Sequence, residues 1–271
     1  MPDTTEQPGR AAERHQTRDA ELLGRALRAA RECSTTYDAI LAPDQMATDR
    51  RQGRYRAAEL ADPQTGLARE VIERHCGLRK LPFGRHGASL AFQRYAHRLA
   101  GLAVGSAGYG GLLPDLRLTN TATVFAALNP GRTALADPRL LVAPRPADVV
   151  AVVVTGHLLP VAHAWCAVSP VALRNLQGNI AASLALGVRR LVPFLGVRPA
   201  LGFGIGLFEA APELAGLGDF RVITWRDRTG LFYERRSCCH AYAARTGKYC
   251  AWCCRLSGAD RLAGFQAALQ G

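Results

Sequence analysis

The stretch SPVALRNLQGNIAASLALGVRRL, residues 169–191, limits the fold more than any other part of this chain. Leu173, Leu176, Ile180, Leu184, Val188 and Leu191 recur every three or four residues, so a helix here carries one continuous apolar stripe. That stripe must be covered by other elements, and 271 residues with 48% apolar content give enough chain to cover it. Ser169 reads as the N-cap and Pro170 as the first helical residue. Arg189 and Arg190 read as the helix end, favourable against its dipole.

Other elements can be read around it. DAELLGRALRAARE is a helix started by Asp19, TGLAREVIERHCGL a second with Thr65 as cap, and GASLAFQRYAHRLAGLAV a third before the glycine-rich GSAGYGG. TATVFAAL and PRLLVA read as strands, and FRVITWRDRTGLFYERRS as a hairpin turning at Asp227–Gly230. The fold class expected is α+β and mainly helical, with helices on a small antiparallel sheet and a C-terminal hairpin leading into a cysteine-rich segment. The divisions expected are a disordered tail at 1–17, a helix and strand region at 18–145, and a helical region at 146–271 whose cysteine-rich segment covers 220–256. No internal repeat is visible.

Residues Val149 to Val168 carry no formal charge but include Gly156, His157, Pro160 and His163, a costly set inside a bilayer, so a core helix is the reading. His157 and His163 read as core histidines. GFGIG at 202–206 lacks the spacing of a nucleotide loop and reads as a turn or a close-packing site. The first residues hold no apolar signal core, so the chain reads as cytoplasmic, where thiols stay reduced. Cys33, Cys76 and Cys166 stand alone in helical patterns and read as small buried hydrophobes.

Five of the eight cysteines fall between Cys238 and Cys254, in RRSCCHAYAARTGKYCAWCC. Cys238 and Cys239 are adjacent, ten residues precede Cys250, and two separate Cys250 from Cys253. A Cys-x-x-Cys turn aims two thiolates at one metal, and two more from across a short loop complete four ligands. Iron–sulfur, zinc and a vicinal disulfide all remain open on this chemistry. The adjacent pair favours a binuclear cluster, because neighbouring side chains of an extended strand point apart. The net charge of +12 fits either an acidic partner or simple solubility. Nine of the basic residues lie between Arg221 and Arg261, against Asp227, Glu234 and Asp260. Arg235, Arg236, Arg245 and Lys248 are the docking residues this suggests.

The Cys-Cys-x10-Cys-x2-Cys pattern resembles the signature of the FhuF-like ferric siderophore reductases. HLLPVAHAWCAVSPVALRNLQGNIAASLALGVRRL is similar to that family's helical region, including a mid-helix Gly-Asn at Gly178–Asn179. The resemblance implies a 2Fe–2S cluster on Cys238, Cys239, Cys250 and Cys253, with no catalytic residue beyond the cluster. It also implies a ferric siderophore of the hydroxamate type as substrate, reduced by one electron. A ferredoxin, flavodoxin or flavin reductase would be the donor, with action in the cytoplasm or at the inner face of the membrane and no nucleic-acid partner. Cys254 stands where the family usually carries a non-thiol, often proline, and an extended exit would point it away from the turn. The rival readings are a zinc-stapled binding module and a 2Fe–2S carrier or sensor in siderophore biosynthesis.

Overall fold

Two long helices, packed side by side, organise the molecule. The computed structural model describes residues 8–125, 130–244, 249–250 and 252–270. The helices are α1 (Pro8–Cys33), α2 (Ala57–Leu60), α3 (Leu67–Arg79), α4 (Arg85–Gly108), α5 (Pro146–Val168), α6 (Leu173–Leu195), α7 (Val197–Glu209) and α8 (Gly258–Gln270). Helix α4 makes its most extensive contact with α6, and α1, α3 and α5 close around the pair. The approach is close because Gly187 has no side chain: a Cβ there would stand 3.0 Å from Val104 Cβ. On α6 the expected stripe is buried at Leu176, Ile180, Leu184, Val188 and Leu191, with Leu173 half-buried at its edge.

The fold is α+β and mainly helical, as the patterning implied, and its strands are short. Strands β1 (Ala39–Leu41), β5 (Thr133–Leu135), β4 (Thr121–Val124) and β2 (Arg54–Arg56) form one sheet in that order. Within it β1 and β5 run parallel, so this sheet is mixed rather than wholly antiparallel. Strands β3 (Leu112–Pro114) and β6 (Leu140–Val142) pair antiparallel, as do β7 (Gly218–Trp225) and β8 (Arg228–Arg235).

Several boundaries differ from the sequence reading. Helix α1 starts at Pro8, well before Asp19, so the part of the tail from Pro8 onward is helical; residues 1–7 lie outside the described residues. Alanine, arginine and glutamate propagate a helix well, and proline suits its first turn. Ser169 does not cap α6. Its hydroxyl donates to Trp165 O at 2.7 Å, which closes α5, and α6 begins only after Ala172. Nor do Arg189 and Arg190 end α6, which continues to Leu195. Helix α4 runs on through Gly105, where a Cβ would stand 3.0 Å from Ala30 Cα, so the glycine serves contact with α1 rather than a turn.

The hairpin turns at Arg226 and Asp227, with Arg226 at φ 56, and Gly230 sits inside β8 opposite Ile223. Gly230 is held there by α8, since a Cβ would lie 2.6 Å from Leu269 Cδ2. GFGIG is helical, in α7, and Gly204 lies against the Phe220 ring, so close packing was the right half of that reading. Helix α5 is long and apolar enough to cross a membrane, yet 67% of its apolar window is buried within the fold. His157 is fully buried there, bonded to Tyr95 Oη and to Leu116 O. His163, by contrast, is exposed and not a core histidine, because six residues along a helix turn it to the other face.

Candidate functional site

The chain leaves β8 through Arg235 and passes directly over α6. Gly178 makes this crossing: a Cβ there would lie 1.7 Å from Ser237 Oγ and 2.5 Å from Ser237 Cβ. Once across, the backbone of the cysteine pair is fixed from two helices. Asn175 Nδ2 of α6 donates to Cys238 O at 3.1 Å, and Ser89 Oγ of α4 donates to Cys239 O at 3.1 Å. Asn179 Nδ2 ties the two supports together through Ser89 O and Ser89 Oγ, both at 3.0 Å. His240 follows with φ 60, and its N–H points at Cys238 Sγ, 3.4 Å away. The backbone is thus kinked directly after the two adjacent cysteines.

The second sulfur pair is joined by a turn in which Cys253 N donates to Cys250 O at 2.9 Å. Cys239 and Cys253 are buried, and Cys238, Cys250 and Cys254 are half-buried. The halves meet where the Cys239 and Cys250 thiols interact. That interaction, more than anything else, favours the ionised form of Cys239 and disfavours that of Cys250. The Arg235 charge and the N–H groups of Ala241 and Cys239 also favour a Cys239 thiolate, while burial opposes it. All eight cysteines are free thiols.

Arg235 is the residue the sequence most misplaced. It was read as a surface docking residue, but only 3% of it is exposed. Its Nε donates to Ser237 O at 2.6 Å, and its Nη2 to Asn179 Oδ1 at 3.1 Å and Ser237 Oγ at 3.3 Å. All three acceptors are neutral, and among the described residues no carboxylate forms an ion pair with it. A buried charge without a counter-charge costs roughly several kcal/mol. Its charge instead acts on Cys239, Cys250 and Cys254. Among these sulfurs it is Cys239 whose surroundings favour negative charge.

No protein-family model, curated protein or solved structure matches this chain.

Among the described residues, no three His, Cys, Asp or Glu side chains converge as a site for a single metal ion. A binuclear cluster asks for something different, two sulfurs for each iron, and the sulfurs brought near one another here are Cys239 and Cys250, with Cys254 near Cys238 and Cys253. The donor set, the amide N–H groups at Cys238 and Cys239, and the orphaned Arg235 cation together fit such an anionic group. Burial, and after it the charges of Cys238 and Cys253, push the Cys254 thiol up to about 11. The turn after Cys253 keeps it at the site, with Leu256 N donating to Cys253 O at 3.1 Å.

Beside the sulfurs lies a cavity of about 640 Å³, lined in part by Cys239 and Cys250. Arg189 forms part of its wall and stacks over the Phe232 and Trp252 rings, 4.6 Å and 5.5 Å from their centroids. Asn175, Ser89 and Arg189 were not singled out as site residues. The Gly-Asn pair was noticed, and its role is now physical: Gly178 admits the crossing chain and Asn179 orients Arg235. Of the other docking residues, Arg236 is exposed but paired with Asp219, and Arg245 and Lys248 lie outside the described residues. The basic face is also partly neutralised, since Arg221 and Arg261 both pair with Glu234.

Proposed function

We propose that the chain is a ferric-chelate reductase of the FhuF-like type, holding a 2Fe–2S cluster on Cys238, Cys239, Cys250 and Cys253. The observation that carries this reading is that paired sulfurs, backed by an orphaned buried cation, line a cavity of small-molecule size. Cavities that hold small molecules measure about 300–1,000 Å³, and this one is about 640 Å³. When bound, such a cluster supplies one electron at a time at a low potential.

The chain's own residues do the rest. Arg235 and the amide N–H groups stabilise negative charge on the sulfurs, which favours accepting an electron. Asn175, Ser89 and Asn179 hold the first sulfur pair in place, so little rearrangement accompanies a change of charge. The cavity brings a ferric chelate up to Cys239 and Cys250. One electron converts its ferric iron to ferrous, which binds hard oxygen ligands far more weakly and leaves. A ferredoxin, flavodoxin or flavin reductase in the cytoplasm replaces that electron, with the protein free or at the inner face of the membrane. A carrier or sensor would have no need of the cavity, which favours the reductase over that rival.

The test is protein purified without oxygen. Its visible spectrum and its iron and sulfide content are expected to report a 2Fe–2S centre. After reduction it should yield ferrous iron, captured by a ferrous-specific chelator, from at least one member of a panel of hydroxamate, catecholate and citrate chelates. A colourless zinc protein would overturn the reading, and so would a brown protein inert to the whole panel.

A further inference from the structure

The segment that carries the first sulfur pair has two sides, and only one of them faces the cavity. Cys239 and Ala241 line the cavity, whereas Cys238, His240 and Tyr242 are not among its described lining residues. Cys238 is half-buried, so it borders the surface outside the cavity. A row of rings marks that second side. The His86 ring, at the start of α4, lies 5.0 Å from His240 and 5.8 Å from Tyr242, and Tyr242 lies 6.1 Å from Tyr249. Arg255 lies across the far end of the row, 4.7 Å from the Tyr242 centroid and 5.8 Å from that of Tyr249. Arg85 adjoins the His86 end, and the charges of Arg85 and Arg255 both act on His240.

Both arginines are exposed, and among the described residues neither forms an ion pair with Asp or Glu. Stacking on neutral rings holds the Arg255 guanidinium in place without cancelling its charge. Arg85 is the first residue of α4, where the helix dipole disfavours a cation, and no acidic residue stands in that first turn. The helix therefore gains nothing from a positive charge there. The two cations stand at the two ends of the ring row on an open surface. Such an arrangement suits carboxylates spread over a protein face, whereas a small anion is held by donors that converge on it.

We propose that the surface from Arg85 to Arg255, beside Cys238, docks an acidic one-electron carrier protein, while the cavity on the other side of the segment serves the chelate. The carrier's carboxylates pair with the two guanidinium groups, and its redox centre comes up to the rings next to Cys238. One electron then passes from the reduced carrier to the oxidised cluster; the carrier loses one electron, the cluster gains one, and no bond forms or breaks. The proposal rests on the reductase reading for that transfer, but docking can be measured without it. A plant-type ferredoxin and a flavodoxin, both acidic and both oxidised, are titrated into the intact protein, with binding read by calorimetry. Reduction of the cluster by each pre-reduced carrier is then followed by stopped-flow absorbance.

At least one carrier is expected to bind, with an affinity that falls at least about 10-fold between low and high salt. Arg85→Glu together with Arg255→Gln should weaken that binding by about 10-fold or more. Glutamate suits the first turn of α4, so the first change keeps the helix. Arg236→Gln, which removes a cation already paired with Asp219, should bind the carrier as the unaltered chain does. Because the salt titration uses the unaltered protein, the test survives a variant that folds poorly. Salt-independent binding overturns the proposal, as does a double variant that binds as tightly as the unaltered chain. If a carrier binds as expected but no iron–sulfur spectrum is present, the docking surface stands and the reductase reading falls. If the cluster is present and reduces chelates with a chemical reductant or free reduced flavin while neither carrier binds, the reductase reading stands and the docking surface falls.

Discussion

Cys238 and Cys239 leave β8 with their carbonyls held by Asn175 of α6 and Ser89 of α4. Cys250 and Cys253 are joined by a turn whose backbone hydrogen bonds, among the described residues, are all local. The first pair inherits the rigidity of the helical core. The second is placed by side chains: the Cys250 thiol on Cys239, the Trp252 ring against Arg189, and Tyr249 against Tyr242. A site built this way has one half tied to the helical core and another half held by side-chain contacts. Substitutions in the two halves should therefore fail differently.

The largest effect is expected at the sulfurs. Cys239→Ser should abolish the visible absorption and the bound iron of protein purified without oxygen, because the fixed half has no spare thiol. Cys253→Ser should retain part of both, because Cys254 is near enough to Cys238 and Cys253 to take the vacated place. Cys254→Ser alone should remain loaded, and Cys253→Ser with Cys254→Ser should be empty. If Cys253→Ser is as empty as Cys239→Ser, the second half is as fixed as the first and the contrast between them fails.

Next in size is Gly178→Ala. The added methyl would meet Ser237, and relieving such overpacking typically costs about 1–3 kcal/mol. The loss should appear in denaturant unfolding of the metal-free protein. Ser237→Gly in the same chain makes room and should recover part of the loss, measured as a coupling in a double-mutant cycle. Strictly additive effects would mean that Ser237 does not press on α6.

How much of this could be read from the sequence follows the range of the contacts. The α6 stripe is local and periodic, and its buried residues could be named in advance. The sulfur pattern is also local, and its two pairs were visible as spacing. The network around Arg235 was not, because it joins residues 56, 90 and 150 positions apart. Charge alone made Arg235 look like surface, since arginine is rarely buried without a partner. The hairpin turn was misplaced for a related reason: Gly230 resembles a turn residue, but its missing side chain makes room for Leu269 of α8. Ser169 looked like a cap for the helix that follows it and instead closes the helix before it.

Acid should loosen the fold through two histidines, His157 in the core and the half-buried His97. Burial holds His157 and His97 down to about 4, and the charges of Arg94, Arg190 and Arg98 add to the effect at His97. In the unfolded chain both return to about 6.5. The unfolded state therefore binds more protons between these values. The stability contributed is fully present above about pH 6.5 and is lost as pH falls toward 4, by up to about 3 kcal/mol for each histidine. Thermal unfolding of metal-free protein across this range should show the decline, and His157→Gln should flatten it while lowering stability at neutral pH. A profile unchanged by His157→Gln would mean that His157 contributes nothing to the acid response.

The smallest effect is expected at Arg236, although it adjoins the sulfurs in sequence and carries the same charge as Arg235. Its guanidinium is exposed and already paired with Asp219, so water and that carboxylate screen it. Exposed pairs contribute about 0–1 kcal/mol, and Arg236→Gln should change stability by no more than that. It should also leave the salt dependence of chelate reduction unaltered, because that carboxylate already answers its charge. Arg235→Gln should act on the sulfurs themselves, making the bound cluster harder to reduce, since a positive charge that stabilises its reduced form has gone. A potentiometric titration of the two variants compares the neighbours directly. If Arg236→Gln shifts the midpoint as far as Arg235→Gln does, burial is not what gives Arg235 its influence, and the fixed half is tuned from its surface.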